Sequence, residues 1–111
     1  MISLLTYLSP APAFNAEHAL LARIQIDNHL SLRWHPKNIL IVTNFPYRYN
    51  GIEALVVPDD LYCEFCWPAT KVYCIEYLLR EGVITDLCWY HDFDCFQLAP
   101  FDDPVLTTGD L

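Results

Sequence analysis

Four consecutive apolar residues, Ile39, Leu40, Ile41 and Val42, stand between Asn38 and the polar pair Thr43-Asn44, just before Phe45-Pro46. A run this short, rich in branched side chains and closed by turn residues, predicts a β-strand over 38–44. Residues 2–8 form a second, nearly continuous apolar run that stops at Ser9-Pro10-Ala11-Pro12, as a buried strand followed by a loop does. Strands without polar alternation have both faces covered, so helices must pack on the sheet. The spacing supplies two. Asn15 is a good N-cap for a helix over 16–31, with Ala19, Ala22, Ile26 and Leu30 on one side and Arg23 and Asp27 a turn apart on another. Pro68 suits the first turn of a helix over 68–81, with Val72, Ile75, Leu78 and Leu79 inward and Gly82 just past its end. A turn at Asn50-Gly51, a short strand at 54–57 and a fourth strand at 83–90 complete the pattern. Helices alternating with buried strands predict an α/β fold: a Rossmann-like, mostly parallel sheet of about four strands with two main helices.

The chain has 111 residues, enough for one domain, which is expected over 1–100 with a C-terminal tail over 101–111; from residue 97 on, two prolines and three aspartates predict loose loop and tail with no further core element. Its 54% hydrophobic content excludes a disordered polymer, and a net charge of −8 argues against a nucleic-acid partner. No apolar run approaches the roughly 20 residues that span a bilayer, and the first residues carry no basic leader. A cytoplasmic protein is the expectation. Five cysteines, an odd number without a secretion signal, are read as reduced thiols.

In a parallel α/β sheet ligands bind beyond the carboxyl ends of the strands, here Tyr7-Leu8-Ser9, Thr43-Asn44-Phe45 and His91-Asp92-Phe93-Asp94. Asp92 and Asp94 flank one aromatic residue, so in extended backbone their carboxylates share a side, and a divalent cation relieves their repulsion. Hard oxygen ligands suit Mg²⁺ or Mn²⁺. The bland alternative is a pair of solvated carboxylates at a strand-to-loop junction.

The stretch from Lys71 through the helix, the strand over 83–90 and the Asp-X-Asp resembles the nucleotide-binding half of GT-A type glycosyltransferases. The resemblance implies a Rossmann-like half-fold that binds a nucleotide-diphospho-sugar through a metal, Mn or Mg. Asp92 and Asp94 would then hold the metal, and Asp92 would also reach the sugar-ribose portion. Lys71 would contact the donor, while Tyr7, Leu8, Ser9 and Asn44 would border the nucleotide. The family's acceptor half has no counterpart in the sequence. The expectation is therefore a truncated member or one completed by a second copy or a partner chain, with the catalytic base unassigned. The alternative is a non-catalytic structural or assembly subunit on the same half-fold.

Other features carry competing chemistry. Cys63-Glu64-Phe65-Cys66 is a Cys-X-X-Cys pair open to zinc, to dithiol redox chemistry or to inertness, inert thiols being the default. Phe45, Tyr47, Tyr49, Tyr62, Phe65 and Trp67 could stack on a base or sugar, or serve as core or a self-association surface. His91 is expected to pack on the side opposite Asp92. Glu64 and Asp86 read as surface or capping carboxylates.

Overall fold

A computed structural model describes residues 1–84 and 87–99, with the backbone but not the side chain of Trp67. Its main sheet has four strands: β1 (Ile2–Tyr7), β2 (Ile39–Thr43), β5 (Leu55–Val56) and β6 (Cys88–Tyr90). They lie in the order β5-β2-β1-β6, and every pairing is parallel. Helix α1 (Ala16–Ser31) joins β1 to β2, while α2 (Trp67–Arg80) carries the chain from β5 at one edge to β6 at the other. These crossovers run in opposite directions across the sheet, so right-handed connections place the helices on opposite faces.

The core divides accordingly. Leu5, Tyr7, Ile39 and Ile41 pack with Ala22 and Ile26 of α1, and Leu4, Leu8 and Val42 pack with Cys74 and Leu78 of α2. The 2–8 and 38–44 runs alternate between these two layers, which is why neither shows polar alternation in sequence. Helix α1 starts where expected: the Asn15 side chain accepts the His18 N–H at 2.7 Å. Its buried positions include Gln25 and His29 besides Ala22 and Ile26, while Asp27 accepts from Tyr49 and Asn50.

Three expectations need revision. The inward face of α2 carries Thr70, Cys74 and Leu78, spaced by four; Val72 and Leu79 are 64% and 57% exposed. Selecting the bulkiest aliphatic residues rotated the assigned face by about a quarter turn. The last strand is three residues long instead of eight, because Gly82 (φ 72°) ends α2 and Val83 and Ile84 return their N–H groups to the Leu78 carbonyl. Gln97, assigned to a loose tail over 97–111, is buried, and its Oε1 accepts from Trp34 Nε1 at 2.8 Å. Asp86, the stretch over 101–111 and any stacking by Trp67 lie outside the described residues.

Between β2 and β5 the chain makes a small hairpin, β3 (Arg48–Tyr49) with β4 (Ile52–Glu53). Its turn has positive φ at both Asn50 and Gly51, the left-handed pair that a two-residue hairpin loop requires.

Candidate functional site

Strand β1 is the point at which the topology switches: the chain leaves it toward β2 and later returns on its other side as β6. At such a point the loops beyond the strand ends separate and leave a crevice. The structure has one there, a cleft of about 230 Å³ beyond the carboxyl ends of β1 and β6. Thr6 and Tyr7 form its floor, Glu17, His18 and Leu21 of α1 one wall, and Lys71 with Asp92, Phe93 and Asp94 the other.

The two aspartates meet because the chain turns after β6. Cys95 N–H donates to the Asp92 carbonyl at 3.1 Å, closing a turn around Phe93, whose ring is buried in the α1-side core. Potential ligand atoms of Asp92, Asp94 and Cys95 lie within 4.8 Å of one another, and all three residues are exposed. Lys71 Nζ donates to Asp92 Oδ1 at 2.5 Å and lies 5.9 Å from the centre of the Tyr90 ring. The bond to Asp92 holds the Lys71 ammonium above its ordinary pKa. On the opposite wall the His18 ring packs on Tyr7 at 4.6 Å, with Nδ1 3.1 Å from Asn15 Oδ1.

Among the charged side chains lining the cleft, Glu17, Asp92 and Asp94 outnumber Lys71. A phosphate group entering alone would be repelled. The oxygen pair fits a hard divalent cation that keeps several waters, while the neighbouring thiol belongs to softer metals. Lys71 occupies the position of a counter-ion, so a metal on Asp92 must compete with its ammonium or displace it.

The structure brings together Tyr7, Lys71, Asp92 and Asp94 of the residues selected from sequence. Leu8 borders a smaller adjoining hollow with Thr70 and Lys71. Ser9 and Asn44 bond to each other: Ser9 N–H donates to Asn44 Oδ1 at 2.9 Å, and Asn44 Nδ2 donates to the Ser9 carbonyl at 2.7 Å. They join the ends of β1 and β2, one strand away from β6. Glu17 and His18 were not selected, yet the Asn15 cap places the first turn of α1 beside the end of β1, a signal present in the sequence.

His91 points away from Asp92, as expected. It is buried with Ser3 and His29: Ser3 Oγ lies 2.6 Å from His29 Nε2 and 2.9 Å from His91 Nε2. The proposed aromatic cluster is split. Phe45, Tyr47 and Tyr49 belong to the α1 side and Tyr62 to the α2 side, while Phe65 is 98% exposed.

No family model, curated protein or solved structure matches the chain. The likeness to GT-A enzymes reduces to its coarser content, a small, broadly Rossmann-like α/β domain with an acidic cluster at the strand ends. Among the described residues, no helix is long and apolar enough to cross a membrane. The chain is a small parallel α/β domain with a cleft at its topological switch point that could accept a divalent ion.

Proposed function

We propose that this chain is a binding domain for a phosphorylated ligand of the nucleoside-diphosphate class, held in the cleft through a divalent cation. The observation that carries the reading is that Asp92, paired with Lys71, and Asp94 line one cleft at the switch point. Mn²⁺ or Mg²⁺ on Asp92 and Asp94 would neutralise the cleft and supply the diphosphate with a counter-charge. Lys71, released from Asp92, would turn its ammonium to the phosphate, and the Tyr7 and Phe93 rings would border the rest of the ligand. A nucleotide sugar is the member of this class that the GT-A resemblance suggests.

Titration calorimetry with ADP and UDP, each with and without Mn²⁺, tests the reading. Binding is expected only with the metal, and Asp94→Ala should weaken it about tenfold, the loss of one charge-assisted contact. Heat independent of the metal, or none at millimolar nucleotide, would overturn it.

A second reading, a structural or assembly subunit, is favoured by the outer side of α2, where exposed Val72 and Leu79 lie two turns apart beside exposed Tyr73. A homo-oligomer joined through this face would become monomeric in Val72→Asp or Leu79→Asp by sedimentation; an unchanged sedimentation profile would reject it.

A further inference from the structure

The Cys63–Cys66 pair lies at the entrance to α2, and neither cysteine lines the cleft. Cys66 is the N-cap residue of α2, and its backbone N–H donates to the Cys63 sulfur at 3.3 Å. The Cys63 N–H in turn donates to Thr70 Oγ1 at 2.9 Å, and Thr70 is buried in the first turns of the helix. The chain between the cysteines bends outward through exposed Glu64 and Phe65. Cys63 is thereby folded back over the start of α2.

This geometry favours one kind of chemistry. The sulfur of Cys63 already touches the backbone nitrogen of Cys66, and the sulfur of Cys66 is three bonds from that nitrogen. The Cys66 side-chain torsion, which sets where its sulfur lies relative to that nitrogen, is therefore the degree of freedom through which the two sulfurs would meet. Zinc needs four ligands, yet among the described residues the only group of three or more candidates is Asp92, Asp94 and Cys95. The other cysteines differ in setting. Burial pushes the Cys74 thiol up to about 11 and raises that of Cys88, whereas Cys66 is exposed and Cys63 half-buried.

We infer that Cys63 and Cys66 form a redox dithiol that closes reversibly to a disulfide by exchange with a low-molecular-weight disulfide such as glutathione disulfide. Exposed Cys66 loses its proton to solvent and attacks one sulfur of the incoming disulfide. That S–S bond breaks, a mixed disulfide forms on Cys66, and the first glutathione leaves as thiolate and takes up a proton. Cys63, also deprotonated, then attacks the Cys66 sulfur. The Cys63–Cys66 bond forms and the second glutathione departs in the same way. The chain loses two hydrogens, and one glutathione disulfide becomes two glutathione thiols. This inference does not depend on the metal-and-nucleotide reading, and its test uses neither ligand.

The full chain is equilibrated in glutathione redox buffers, quenched with an alkylating agent and mapped by peptide mass spectrometry. The expected product is a 63–66 peptide lighter by two hydrogens and resistant to alkylation, formed at more reducing ratios in the folded chain than in urea. Cys63→Ser should lose the bridge and accumulate a glutathione adduct on Cys66, and Cys66→Ser should lose both. Circular dichroism checks that each variant is folded. Free, alkylatable Cys63 and Cys66 at every ratio would overturn the inference. So would a bridge to Cys95, or bridging that is equal in folded and urea-unfolded chain.

Discussion

The two faces of the sheet are built on different principles. On the α2 side the buried residues are largely aliphatic, with Leu4, Leu8, Val42, Val57, Leu78 and Ile84 around Cys74. On the α1 side Ser3, Gln25, His29 and His91 are buried among the apolar residues. Gln25 Nε2 donates to the Phe93 and Cys95 carbonyls at 2.8 and 2.7 Å, and the His29 and His91 rings stack 5.4 Å apart. The aliphatic face is held by area and volume, which tolerate exchange of one hydrocarbon for another. The polar face is held by direction, since a buried donor or acceptor that loses its partner has no water to replace it. The polar face also anchors the carbonyls of the loop that carries Asp92 and Asp94, so the candidate site rests on the stricter of the two layers.

The contrast can be broken by mutation. The largest effect is expected on the aliphatic side, where Leu78→Ala removes a fully buried side chain. A loss of about 2–5 kcal/mol in urea unfolding, similar at pH 5 and pH 7.5, is the expected outcome.

His29→Leu should cost less, about 1–3 kcal/mol, by leaving part of the network without a partner. It should, however, change the dependence on pH. Burial lowers the pKa of His29; it also lowers that of His91, with a further contribution from His29. The unfolded chain therefore takes up protons first as pH falls. The stabilisation from keeping these rings neutral is complete above the ordinary histidine value of about 6.5 and declines below it. Wild-type Tm should drop between pH 7.5 and pH 5, and His29→Leu should flatten that drop. An undiminished drop would mean that the polar face is not its source.

Lys71→Ala should have the smallest effect on unfolding, below about 1 kcal/mol, because the Lys71–Asp92 pair is partly exposed and screened. A larger loss would make the pair part of the scaffold, whereas the proposed function needs it free to open.

Elements with local punctuation were legible in the sequence: the Asn15 cap, the Asn50-Gly51 turn, Gly82 and the run from Ile39 to Val42. The inward face of α2 was less legible, because Thr70 and Cys74 fill it while larger hydrophobic residues remain outside. Gln25 and His29 were not among the residues assigned inward on α1 for a related reason: burial of a polar side chain depends on partners distant in sequence, such as Ser3 and Phe93. Of the residues that line the cleft, Tyr7, Lys71, Asp92 and Asp94 were selected from the sequence. Thr6, Glu17, His18 and Leu21 were not selected: the Asn15 cap marks the start of α1, but the side-by-side placement of β1 and β6 that completes the cleft is a property of strand order.

Ser3 has one hydroxyl hydrogen and stands between two imidazole nitrogens. His29 Nδ1 faces the Gln25 carbonyl at 2.6 Å, so it carries a hydrogen, and in the neutral ring its Nε2 accepts from Ser3. His91 has one ring hydrogen when neutral and two oxygens facing it, Ser3 Oγ at 2.9 Å from Nε2 and the Cys95 carbonyl at 3.2 Å from Nδ1. The tautomer of His29 is therefore fixed by its partners, whereas the single hydrogen of a neutral His91 serves either Ser3 or Cys95 and not both. That one hydrogen ties the buried Ser3–His29 pair to the backbone of Cys95, in the loop that carries the candidate metal ligands.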